Sequence, residues 1–280
     1  MIAMTSHDET PPSGAKAAAP TGAGNAHELA QLVHQRLDRI ENLLTAGAAT
    51  ADGDPGSAAG TRPAWRSETQ AEQRWAVTVV ILTAIALQLF LPPRLTIQPR
   101  WLLPVLEIGL LLALVAMNPH RRLDRSSRTL RGVSLTLVAA ISLANGWSAV
   151  KLVHELVHGG GATGAPALLG TGGAIWATNV ISFALWYWEW DRGGPVARAR
   201  GTADYPDLLF PQMQTSGIAP EQWEPGFLDY LYVAFTNATA FSPTDTMPLS
   251  LWAKMLMMLQ SAISLLTVVL VVARAVNILQ

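Results

Sequence analysis

The sequence predicts an all-α, polytopic integral membrane protein with five or six transmembrane helices and a disordered N-terminal tail. Three observations carry that expectation. Only 14% of the 280 residues are charged while 50% are hydrophobic, against roughly 25% charged in an ordinary soluble domain. Four apolar segments follow one another between residues 75 and 188, each close to the ~20 residues that cross a bilayer core as a helix. Tryptophans stand at segment ends, Trp75 and Trp101 opening two and Trp186, Trp188 and Trp190 closing the fourth, the interfacial position of an aromatic belt.

Composition also excludes classes. A net charge of −1 is no match for the concentrated basic field of a nucleic-acid binder. With no cysteine in the chain, disulfides, thiolate metal sites and cysteine nucleophiles are ruled out. The N-terminus lacks the apolar core of a cleavable signal peptide, so the first apolar segment is expected to serve as an uncleaved anchor.

Residues 1–70 are rich in Ala, Gly, Pro and Thr, a composition that cannot bury enough apolar area to fold alone. Within them, residues 25–44 space Ala30, Val33, Leu37, Ile40 and Leu44 three and four apart, a short coiled-coil seam that suits pairing in an oligomer. A transient helix is the equal alternative for so short a stretch. The segments 75–91, 101–117, 132–150 and 170–188 form the first membrane region, 71–190. A linker, 191–225, follows, and then a C-terminal module, 226–280.

Arginine and lysine set the expected orientation. Arg121, Arg122, Arg125, Arg128 and Arg131 crowd the loop between the second and third segments, which makes that loop cytoplasmic by the positive-inside rule. The N-terminal tail and the linker, with Arg192, Arg198 and Arg200, fall on the same side. The expected location is the plasma (inner) membrane, N-terminus in the cytoplasm.

A His-Glu-x-x-His motif, His154-Glu155-Leu156-Val157-His158, closes the third segment. On a helix this spacing sets two histidines on one face with a glutamate as general base, half of a zinc peptidase site. Such a site needs a third protein ligand, yet position 164 is Gly164, and Asp191 belongs to the far end of the next span. The other reading is a polar helix terminus before a glycine-rich loop. Neither an enzyme nor a cofactor is expected, and the two histidines remain a remote metal-site alternative.

The C-terminal stretch "DYLYVAFTNATAFSPTDTMP" followed by a long apolar helix resembles the pore helix, filter and inner helix of tetrameric potassium channels. Thr236, Thr239, Asp245 and Pro248 stand in the corresponding order, with one extra residue. The Gly-Tyr-Gly filter is absent: no glycine occurs after Gly226, and Pro243 cannot take the φ > 0 angles that a carbonyl-stack filter requires. Over roughly 170–279, "NVISFALWYWEWDRGG" and "DLLFPQM" more closely resemble an uncharacterised family of bacterial multi-pass membrane proteins. That resemblance implies membership and no activity.

A polar cluster marks this module: Thr236, Asn237, Thr239, Ser242, Thr244 and Asp245. Either it lines a path for a cation or small solute, or its hydroxyls and amide bond neighbouring helices, with Asp245 or Thr246 capping the last helix. A re-entrant pore helix would bring the linker to the outer side, whereas the arginine count keeps the linker inside and makes 226–242 a short fifth span. Glu107 is a buried acid within the second segment, a functional candidate by its rarity, with Lys151 or Lys254 as expected partner. Arg274 is expected to snorkel to the cytoplasmic interface. Two classes follow: a channel-like or transport protein, oligomeric in the bilayer, and a non-conducting structural or regulatory membrane protein.

Overall fold

A computed structural model describes residues 34–42, 64–69, 72, 74–117, 128–158, 164–203, 205–215, 218–220, 223–240 and 245–279. The chain divides into two units, Met1–Thr61 and Arg62–Gln280. In the first, residues 34–42 form an exposed helix. Leu37 and Ile40 of the expected seam lie on it, both solvent-facing, while Ala30, Val33 and Leu44 lie outside the described residues.

The second unit is built of eight α-helices among the described residues: α1 (Trp75–Phe90), α2 (Leu102–Met117), α3 (Arg128–Val157), α4 (Ala165–Trp190), α5 (Pro195–Ala199), α6 (Pro211–Gln214), α7 (Phe227–Ala240) and α8 (Leu251–Leu279). The four apolar segments thus became α1 to α4. Of these, α3, α4 and α8 are long and apolar enough to cross a membrane, while α1 and α2 are shorter at 16 residues each. Large apolar side chains remain exposed along α8, among them Leu251, Met258, Leu266 and Val272, a larger apolar patch than a water-facing helix ordinarily carries.

Helices α1 to α4 alternate in direction and give the unit two ends. Arg74, Arg128, Arg131 and Arg200 border one cavity at the first end. At the opposite end Leu91, Leu95, Leu152 and Leu168 form one apolar cluster with Val271 and Ala275 of α8. Helices α4 and α8 run antiparallel and close: a Cβ on Gly172 would stand 2.7 Å from Val271, so only a glycine allows this approach.

The predicted tail boundary at residue 70 moves. Trp65 is buried, and its carbonyl accepts from Arg192 Nη1 at 2.5 Å. Residues 64–69 therefore belong to the folded unit, held by an arginine that sequence reading placed in a linker.

The linker itself is packed structure. Its strand β1 (Leu208–Leu209) pairs antiparallel with β2 (Met247–Pro248), Leu208 opposite Pro248 and Leu209 opposite Met247. Pro248 sits on a two-residue strand, where its missing N–H costs no ladder bond. Leu249 N also donates to Asp207 O at 2.8 Å, and Trp252 Nε1 to Asp207 Oδ1 at 2.9 Å. The start of α8 is thereby fixed to the arginine-rich end.

Helix α7 starts at that same end. Phe227 N donates to Glu72 Oε1 at 2.5 Å, and the Tyr230 hydroxyl to Asp191 Oδ2 at 2.6 Å. Further along, Asn237 Nδ2 donates to Met257 O at 3.0 Å, so α7 and α8 point the same way, side by side. A crossing helix would leave its ends at opposite faces; residues 226–248 leave and return at one face. Of the two expectations for this stretch, a re-entrant hairpin and a short fifth span, the shared position of its two ends favours the first. Arg274 lies at the end opposite the arginine-rich one, next to Ala275 and its cluster.

Candidate functional site

The turn that follows α4 organises the module. Asp191 is fully buried. Its Oδ1 accepts from Asp207 N (3.0 Å) and Leu208 N (3.2 Å), and its Oδ2 from Tyr230 and from Arg192 Nε (3.3 Å). One carboxylate thus joins the end of α4, strand β1 and the first turn of α7. Arg192 has φ 51, a left-handed conformation uncommon for a non-glycine residue. It is held there by its N–H on Asp207 Oδ2 at 2.9 Å and by its side chain on Trp65. Gly194, at φ 97, completes the turn, and a Cβ there would stand 2.9 Å from Glu189 O.

Glu72 braces the same end from the other side. Its carboxylate accepts from Phe227 N and from Trp188 Nε1 at 2.8 Å. Burial pushes its pKa above the ordinary value, against the pull of those two donors and of Arg198. Arg198 is buried as well, donating to Trp188 O (2.5 Å) and Asp191 O (3.0 Å), with its guanidinium over the Tyr230 ring.

Below this end, a polar seam runs between α4, α7 and α8. Gln260, fully buried, accepts at Oε1 from the Tyr187 hydroxyl (2.6 Å) and from Asn237 Nδ2 (2.8 Å), and donates to Ala234 O (2.8 Å). Ser261 donates to Asn237 Oδ1 at 3.1 Å, and Asn179 Nδ2 to Ser264 Oγ at 2.9 Å. Polar groups buried among apolar helices are costly unless paired, and these are paired with one another.

The predicted polar cluster divides on this geometry. Asn237 faces inward and its amide belongs to the seam. Thr236 is half-buried and bonds the carbonyls of Tyr232 and Val233. Thr239 is exposed, its hydroxyl on Phe235 O at 2.6 Å, and Asp245 is exposed. Ser242 and Thr244 lie outside the described residues.

Glu107 is buried as expected, but its partner is neither lysine. Gln88 Nε2 donates to both of its oxygens, at 3.2 and 3.1 Å. Lys151 lies over the Trp147 ring, and Lys254 stands exposed one turn into α8, at the arginine-rich end. A short amide on the neighbouring helix reaches the acid where Lys254, at the other end of the unit, does not.

His154 and His158 are exposed with ring centroids 4.1 Å apart, and Glu155 pairs with Arg94 at 3.2 Å. Asp191, the third-ligand candidate, is locked into the opposite end. Among the described residues no group of three or more His, Cys, Asp or Glu side chains is arranged to hold a metal ion.

Sequence reasoning missed Asp207, Gln260, Tyr187 and Glu72 as organising residues. Gln260 carried a usable signal, an amide in the middle of a 29-residue apolar helix. Compared with family models, curated proteins and solved structures, the chain matches none of them.

Proposed function

We propose that this chain is a non-catalytic, multi-pass membrane protein in which residues 226–248 form a re-entrant hairpin lining a channel-like passage in a homo-oligomer. The observation that carries the reading is the pairing of Leu208–Leu209 with Met247–Pro248. It returns the chain to the face from which α7 departed. Fourteen residues of α7 at ~1.5 Å each reach about 20 Å, part of the way through a core of about 30 Å. That is the shape of a pore helix, packed against α4 and α8 in a unit of five spans, α1 to α4 and α8.

By the arginine bias the hairpin enters from the cytoplasmic side. Thr239 and Asp245, both exposed, are the groups offered to a cation or small solute; Ser242 and Thr244, the other two candidates, lie outside the described residues. Asn237 is not among them, since its amide is taken up by Gln260 and Met257. The missing glycines argue against potassium selectivity.

Purified protein in liposomes tests the reading by flux of small monovalent cations. Flux that falls several-fold in Asp245→Asn supports it. Intact oligomers that pass none of the ions tried contradict it and favour the second reading, a non-conducting structural membrane protein. That alternative has its own support in the polar seam, where every bond serves helix packing.

A further inference from the structure

A cavity of about 360 Å³ lies between α1, α2, α3 and α4 at the arginine-rich end, within the size range of small-molecule sites. Its inner wall is apolar, built by Ile81, Leu111, Leu137 and Leu185, and its border carries Arg74, Arg128, Arg131 and Arg200. Arg128, Arg131 and Arg200 are exposed, so their charge is presented at the mouth. Among the described residues, the one carboxylate in the lining is Glu189. It accepts a hydrogen bond from the Ser134 hydroxyl and is attracted by Arg198 and Arg131. Formal charge at the mouth is therefore strongly positive even with Glu189 ionised.

We infer that this cavity binds one anionic phospholipid, its phosphate among the arginines and part of an acyl chain against the leucine wall. Guanidinium forks match phosphate geometry. Basic pockets between helices at the cytoplasmic interface meet anionic headgroups at their own depth. An apolar interior of this size is a poor place for water, which needs several polar partners to stay. A soluble anion would satisfy the arginines and leave the wall unused; a neutral lipid would do the reverse. The inference rests on the membrane part of the reading above and is independent of conduction.

The test uses the full chain in detergent after delipidation, with phosphatidylglycerol and phosphatidylcholine of identical chains as probes, read by native mass and thermal stability. The expected result is one phosphatidylglycerol per chain, bound at least about tenfold more tightly than phosphatidylcholine, since each basic residue near an anionic headgroup contributes roughly fivefold. The double variant Arg128→Gln, Arg131→Gln should lose most of that preference, and Leu114→Trp, which narrows the wall, should weaken both lipids. Equal binding of the two lipids by the unaltered protein would overturn the proposal, whatever the variants do. So would protection by inorganic phosphate as strong as that by phosphatidylglycerol, which would make the site a soluble-anion site.

Discussion

The hydroxyl of Tyr230 donates to the carboxylate of Asp191 at 2.6 Å, across 39 residues of sequence, and both groups are buried. This bond ties the first turn of α7 to the end of α4. With Asp207 on Trp252, it holds both ends of the 226–248 stretch at one face.

Removing that carboxylate strands several groups together. Asp191→Ala leaves the Arg192 guanidinium without its charge partner and two backbone N–H groups without acceptors. Breaking a buried ion pair from one side costs about 3–5 kcal/mol, and a loss of that size is expected in chemical unfolding of the purified protein. Asp191→Asn keeps an acceptor for the two N–H groups and should cost clearly less. Equal losses in the two variants would show that the charge accounts for the whole effect and that the two backbone acceptor bonds contribute nothing.

The seam makes a separate prediction. Gln260→Leu deprives Tyr187 and Asn237 of a shared acceptor, and hydrogen bonds between membrane helices average about 0.6 kcal/mol, with a maximum near 1.7. A loss of roughly 1–3 kcal/mol is expected. In a double-mutant cycle with Tyr187→Phe the two changes should be non-additive, because they remove one bond. Strict additivity would mean the Tyr187–Gln260 bond contributes nothing.

Much of this architecture was legible in the sequence, and the boundary is instructive. Hydropathy located α1 to α4 and α8, within a few residues except at the end of α3, which runs to Val157 against the expected 150, because continuous apolar runs report local structure. The arginine count grouped Arg74, Arg128, Arg131 and Arg200 at one end, and the structure brings them to one cavity. The return of residues 226–248 was not legible from that count. Arginine counting and a pore-like hairpin seemed to conflict only because the hairpin was assumed to enter from the side poor in arginine. The pairing of β1 with β2 sits at the arginine-rich end, and the proposed entry from that side is compatible with both signals. Asp191, Asp207 and Glu72 were invisible for a different reason: their partners lie far away in sequence, and no periodicity encodes such contacts. At the Glu107 site the sequence showed the acid, but a glutamine inside an apolar run was a quieter signal than two lysines.

A pH dependence follows from Glu72. Its folded pKa is raised above the ordinary 4.5, first by burial, with Glu224 adding to the rise. The charged form is thus the one disfavoured by folding. Its stabilising contribution is fully present below the ordinary value and is lost as pH rises through the raised one. The melting temperature of the wild-type protein should fall more over that window than that of Glu72→Gln. Parallel curves for the two proteins would refute the assignment.

The central claim is that residues 226–248 leave and return at one face, and labelling of single cysteines tests it most directly. The chain has no cysteine, so Tyr205→Cys, Met247→Cys and Val157→Cys, all at exposed positions, report without background to an impermeant thiol reagent. In vesicles of known orientation, positions 205 and 247 should react from the same side and position 157 from the other. Reaction of 247 together with 157 would make α7 an ordinary crossing helix and contradict the account.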